Sequence, residues 1–223
     1  MKSPLIFLAT VLFLSACKKD DTSKNSPPPD VYANSVSGSS WTYHQTDLSG
    51  IKPPSDYTVT STSNDTTINS RKYHVYKYSY GGSEYLAVEG HDYYQYDSIP
   101  ITGGINIERV YLKDNASTGD TWKQDFSLNI PNFPLAVPLT VQNKIAEKGI
   151  SRTINGKSFS NVFHVITTLS SLGIPSSALS SNIDSYYAPG YGLIENTTVI
   201  QLNYLGFVEN VNLKTELTSS DLK

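Results

Sequence analysis

Lys72-Tyr73-His74-Val75-Tyr76-Lys77-Tyr78-Ser79-Tyr80-Gly81-Gly82-Ser83-Glu84-Tyr85-Leu86-Ala87-Val88 is the stretch on which the fold turns. Successive side chains of a strand point to opposite faces. His74, Tyr76, Tyr78 and Tyr80 therefore share one face, and Tyr73, Val75 and Lys77 the other. Gly81-Gly82 supplies the positive φ angles that a tight hairpin requires. The stretch reads as two antiparallel strands.

The same period runs outward on both sides. Trp41 to Gln45 is short and aromatic, and Tyr57-Thr58-Val59-Thr60-Ser61-Thr62 alternates apolar with hydroxyl side chains. Beyond Gly90 come Tyr93-Tyr94-Gln95-Tyr96, then Ile105, Ile107, Arg109 and Tyr111 on alternate positions. Val110 and Leu112 break that alternation, which predicts a bulge or two buried faces. A single helical candidate lies at residues 176–183, after Pro175. The fold class expected is mainly β, a curved antiparallel sheet or barrel-like body with at most one short helix.

The second half echoes the first. Gly38-Ser39-Ser40-Trp41 is matched by Gly119-Asp120-Thr121-Trp122, and Asn69-Ser70 by Asn155-Gly156, a primed-turn signal. His74-Val75 is matched by His164-Val165, and Tyr93-Tyr94 by Tyr186-Tyr187. A duplication over 38–97 and 119–194 and a coincidence of composition both remain open readings.

Two apolar inserts interrupt the second half, residues 128–138 and residues 170–184. Three prolines bar the first from a central strand. Burying one large apolar side chain is worth about 1.5–3 kcal/mol, so these residues must cover something. They either close one end of the core or rim a binding mouth. On the second reading Phe133, Leu135 and Val137 contact a ligand, with Leu172 and Ile174 on the same rim and Tyr76, Tyr78 and Tyr80 below.

The amino terminus sets location. Residues 5–14 form an apolar run about half the length needed to span a bilayer, so residues 1–16 read as a secretory signal. Leu14-Ser15-Ala16-Cys17 contains the only cysteine of the 223 residues. This string resembles the lipobox of bacterial lipoproteins, and the resemblance implies lipidation of Cys17 and a membrane partner. Lys18-Lys19-Asp20-Asp21 resembles the tether of surface-exported Bacteroidota lipoproteins. Tyr186-Tyr187-Ala188-Pro189-Gly190-Tyr191-Gly192-Leu193-Ile194-Glu195-Asn196 is similar to a segment of bacterial envelope lipoproteins that carry no assigned activity. Tyr191 here replaces a small aliphatic residue, and Asn196 a basic one. The implied location is the outer membrane, on the cell surface or on the periplasmic face. Residues 17–35, with Pro27-Pro28-Pro29, read as a disordered tether, and 36–223 as a single β-rich domain.

Removing residues 1–16 leaves 207, with a net charge of −4 once Lys2 is lost. That balance argues against nucleic acid, which calls for a basic stripe. A lone cysteine excludes a disulfide framework. His44, His74, His91 and His164 are scattered without metal-ligand spacing. No Gly-x-Ser-x-Gly elbow or glycine-rich phosphate loop is present. No metal, cofactor or catalytic residue is therefore expected. Glu84, Glu89, Asp92 and Asp97 surround the tyrosines and read as strand-end charges. The function expected is a non-enzymatic binding module for a glycan or an apolar ligand. A hydrolase of unrecognised type and a structural component of an outer-membrane assembly are the alternatives.

Overall fold

A computed structural model describes residues 31–102, 104–129 and 136–223. The chain forms twelve strands: β1 (Ser40–Asp47), β2 (Ser55–Ile68), β3 (Arg71–Tyr78), β4 (Ser83–Glu89), β5 (Asp92–Ser98), β6 (Asn106–Lys113), β7 (Thr121–Leu128), β8 (Val137–Ile154), β9 (Lys157–Ser170), β10 (Leu179–Ala188), β11 (Gly192–Tyr204) and β12 (Phe207–Asp221). They make one antiparallel sheet in the order β6-β5-β4-β3-β2-β1-β12-β11-β10-β9-β8-β7. The sheet curls into a nearly closed barrel. No α-helix occurs among the described residues; Pro100–Thr102 is one 3-10 turn. The helix expected at residues 176–183 is instead a turn that leads into β10. Ala178 N–H donates to the Pro175 carbonyl at 2.8 Å, and the chain then extends, because pairing with β11 satisfies more backbone groups than one helical turn could.

The topology divides into two six-stranded meanders, β1–β6 and β7–β12, which meet where β1 pairs with β12. Trp41 and Trp122 each stand in the first strand of a meander. Asn69 and Asn155 sit in the second hairpins, both with positive φ, at 51° and 47°. The tyrosine pairs do not correspond: Tyr93-Tyr94 lies on the fifth strand of its meander and Tyr186-Tyr187 on the fourth.

The seam falls between β6 and β7, which share no ladder. Side chains close it at one residue. Val110 N–H donates to Gln124 Oε1 at 2.6 Å, and its carbonyl accepts from Trp122 Nε1 at 2.9 Å and Asn143 Nδ2 at 3.2 Å. The bulge is here too: Tyr93 pairs with Leu112 and Tyr94 with Val110, leaving Tyr111 as the extra residue. Val110, Tyr111 and Leu112 are all buried.

Antiparallel strands place successive connections at alternate ends. One end carries the amino-terminal entry, the Asn69 and Asn155 hairpins and the Pro189-Gly190 turn. It is tightly filled by two clusters, one around Trp41, Tyr76 and Phe159, the other around Tyr93, Tyr111 and Phe163. Residues 31–35, read above as tether, belong to this packing. Tyr32 is buried, its ring lies edge-on to Phe163 at 4.8 Å, and its hydroxyl donates to the Asn161 carbonyl at 2.8 Å. Gly190 N–H donates to the Val31 carbonyl at 2.6 Å, and Tyr191 N–H to the Ala188 carbonyl at 3.1 Å. Pro189-Gly190 thus forms the turn its sequence predicts, with Gly190 at φ 72°. The packed domain thus includes residues 31–35, ahead of the expected boundary at 36. Cys17 and the rest of the tether lie outside the described residues.

Candidate functional site: a tyrosine-lined cavity

The opposite end carries both inserts and is loosely filled. A third cluster packs Leu139, Val141, Leu169 and Ile200 of the second meander against Ile107 of β6 and Ile99 just after β5. Beside it a cavity of about 300 Å³ opens, lined from both meanders. Alternation turns Tyr43 from β1, Tyr57 from β2, Tyr76 and Tyr78 from β3, Tyr111 from β6 and Tyr187 from β10 into it. Burial raises the pKa of all six hydroxyls, to about 12 for Tyr187. All stay neutral, and most are engaged. Tyr43 donates to the Leu193 carbonyl at 2.8 Å and Tyr76 to the Asn34 carbonyl at 2.9 Å. Tyr57 bonds to Thr215, Tyr78 to Glu84 and Tyr187 to Ser185. The cavity is therefore offered ring faces more than hydroxyls.

An ionic chain crosses its wall from β4 to β6. Arg109 donates through Nε and Nη2 to the two oxygens of Asp97, each at 3.2 Å, and through Nη2 to Gln95 Oε1 at 2.5 Å. Gln95 Nε2 donates to Glu84 Oε1 at 2.6 Å. Burial disfavours the Arg109 charge, but the Asp97 carboxylate more than offsets this and raises its pKa. Glu84 is enclosed by the wall while part of its surface faces the cavity. Burial, with the nearby Asp97 charge, pushes its carboxyl up to about 7, against the pull of Arg109 and of the Tyr78 and Gln95 hydrogen bonds. Glu84 and Asp97 are thus components of the cavity rather than the strand-end charges expected. The available signal was Arg109, a charged residue between Ile107 and Tyr111 on an otherwise apolar face.

Toward the open end lies a second pocket of about 310 Å³, lined by Ile101, Leu128, Val137, Ile174, Leu179 and Leu202 among others, and Pro100 borders both spaces. Val137 and Ile174, from the two inserts, both line this pocket, whereas Leu172 is 96 % exposed and lines neither space. Phe133 and Leu135 lie outside the described residues. Tyr76 and Tyr78 line the cavity, while Tyr80 is 70 % exposed at the β3–β4 turn, stacked on Tyr78 at 5.0 Å. The rim is apolar, with Leu48, Ile51 and Leu205 exposed on its loops and Phe207 and Val208 at the start of β12.

Each histidine is held by a carboxylate: His44 by Asp56, His74 by Asp65, His91 by Asp114 and His164 by Asp184, at 2.5–2.9 Å. His74 shares a face with Tyr76, whereas His164 alternates with the core residues Phe163 and Val165. The two lie on opposite faces of the sheet and cannot meet across the barrel. No cluster able to hold a metal ion occurs among the described residues.

No family model matches the chain, and no curated protein is significantly similar to it. The fold is similar to that of a "putative lipoprotein" from Parabacteroides distasonis, with a TM-score of 0.50 at 12 % identity, over 86 % of this chain and 99 % of that one. A "putative exported protein" with a YmcC-like fold from Bacteroides fragilis aligns with a TM-score of 0.48 at 9 % identity, over 84 % of this chain and 97 % of that one. The first likeness is one of fold.

Proposed function

We propose that the chain is a lipid-anchored protein of the cell envelope, set in the outer membrane, whose barrel holds a small amphipathic molecule without transforming it. One observation carries the binding reading. A polar, tyrosine-lined cavity and an apolar pocket meet at Pro100 and open at the end opposite the amino-terminal entry. Together they fall within the volumes usual for small-molecule sites. A ligand with a polar head and an apolar tail satisfies both. The anchor rests on Leu14-Ser15-Ala16-Cys17, and a fold shared with a protein described as a lipoprotein agrees with it. With the anchor at the closed end, the mouth faces away from the attachment point.

Protein expressed with its native signal and extracted with chloroform and methanol should release a stoichiometric amphipathic molecule, seen by mass spectrometry. Stripped protein should take up the apolar probe N-phenyl-1-naphthylamine. Neither release nor uptake would overturn the binding reading. Cys17→Ser protein that stayed membrane-bound and cleaved would overturn the anchor. Protease treatment of intact cells distinguishes surface from periplasmic display.

One observation favours a hydrolase instead: a carboxyl poised near neutrality, Glu84, beside a second acidic side chain, Asp97. A pair of acidic side chains, one with a raised pKa, is the machinery of glycoside cleavage. Release of reducing ends from envelope glycans, abolished in Glu84→Gln, would establish that reading over simple binding.

A further inference from the structure

We infer, resting on the binding reading above, that the head group taken by the inner cavity is an uncharged, hydroxyl-rich one of the sugar or polyol class, and neither an anion nor a cation. The charge is already balanced. Arg109 spends Nε and Nη2 on Asp97 and Gln95, and its guanidinium and the Asp97 carboxylate neutralise each other. An incoming anion would meet Asp97 and Glu84; an incoming cation would meet Arg109. What the cluster keeps is hydrogen-bonding capacity of both signs. Among the described residues Arg109 Nη1 has no partner and is left as a donor. Each Asp97 oxygen accepts a single Arg109 hydrogen bond and retains a lone pair. Glu84 Oε1 takes Gln95, and its carboxyl is present both protonated and ionised near neutrality, so it donates or accepts.

Sugar hydroxyls are the groups that donate and accept at once. The C–H faces of a sugar ring suit the other component of the wall, the tyrosine rings, whose hydroxyls are turned away into Leu193, Asn34 and Thr215. Two further donors stand unpartnered behind this wall. Asn34 Oδ1 is fixed by the Val36 N–H at 2.9 Å, so its Nδ2 is left without a partner, as is Trp41 Nε1. Both residues border the cavity and are more than nine-tenths buried, and both touch Tyr76.

The test holds the tail constant and varies the head. Octyl β-glucoside, octan-1-ol, octanoate and octyltrimethylammonium, each below its micelle concentration, are titrated into the stripped protein by calorimetry. The glucoside is expected to bind at least about tenfold more tightly than octanol, the worth of one or two hydrogen bonds. Octanoate and the ammonium should bind more weakly than octanol. In the Asp97→Asn, Arg109→Gln double variant the glucoside should fall to the octanol value. Should that variant fail to fold, the wild type still decides through its two indole N–H signals. The Trp41 cross-peak should shift with the glucoside, while that of Trp122, bonded to Val110, stays in place. Equal binding of glucoside and octanol, tighter binding of either ion, or an unmoved Trp41 signal would overturn the inference and leave the binding reading intact. Failure of every probe, octanol included, would overturn both.

Discussion

Gln95 bridges opposite charges: its Nε2 lies 2.6 Å from Glu84 Oε1, and its Oε1 lies 2.5 Å from Arg109 Nη2. One amide thus couples a carboxyl titrating near neutrality to a permanently charged guanidinium. Without this bridge Glu84 would face Asp97 with less compensation. The amide also orients Arg109 so that Nη1 is spare.

Glu84 makes stability fall as pH rises. Its folded pKa of about 7 lies above its ordinary 4.5, so between those values the native state binds more protons than the unfolded one. The contribution is fully present below pH 4.5, declines through pH 7 and is gone above it, amounting to on the order of 1–3 kcal/mol. Asp47 and Asp65, with lowered pKa values, act in the opposite sense and only in more acid solution. Urea midpoints from pH 5 to 8 should drop for the wild type and stay nearly flat for Glu84→Gln. Parallel curves would show that Glu84 is not the group responsible.

The seam supplies a second expectation. Val110 N–H is satisfied by a side chain, Gln124 Oε1, where other strands use a ladder partner. Gln124→Ala should accelerate amide exchange at Val110 selectively, leaving the β5–β6 ladder protected. Asn143→Leu should cost about 1–3 kcal/mol, since it orphans the Thr167 hydroxyl, bonded to Asn143 Oδ1 at 2.6 Å, and removes a donor to the Val110 carbonyl. An Asn143→Leu protein as stable as wild type would show that the seam is not held there.

The paired hairpins predict substitutions of opposite sign. Ser70 holds φ 69° where glycine is freer, and Gly156 holds φ 80° at the matching turn. Ser70→Gly should therefore leave stability unchanged or raise it by a few tenths of a kcal/mol, as relief of strain competes with added unfolded-state entropy. Gly156→Ala should lower it by about 1 kcal/mol or more. Thermal melting of both variants checks the pair, and a destabilised Ser70→Gly would refute it.

Much of this fold was legible because period-2 alternation survives in the tyrosine strands. From Lys72 to Tyr80 the residues that face the cavity, Tyr76 and Tyr78, are those on the face read from sequence. The bulge at Val110-Tyr111-Leu112 was legible too, since three consecutive large apolar residues cannot all face inward on a regular strand. The ionic chain was not. Gln95, Asp97, Arg109 and Glu84 sit on three strands, and only their antiparallel register brings them together. Tyr32 was missed for the opposite reason. A single apolar pair after a proline-rich run has no period to read, and its burial depends on a groove built by distant residues.

Tyr32 carries the last prediction, because it packs the first described residues onto the barrel. Its ring contacts Phe163 and Tyr93, its backbone N–H donates to the Tyr93 hydroxyl at 3.2 Å, and its own hydroxyl donates to the Asn161 carbonyl. Truncating a buried aromatic side chain typically costs about 3–5 kcal/mol, so Tyr32→Ala should lower the urea midpoint sharply, and Tyr32→Phe should lose only the hydrogen bond. If Tyr32→Ala were as stable as wild type, Val31 to Asn34 would be tether after all. The barrel would then begin at Val36, and its closed end would lie open to solvent.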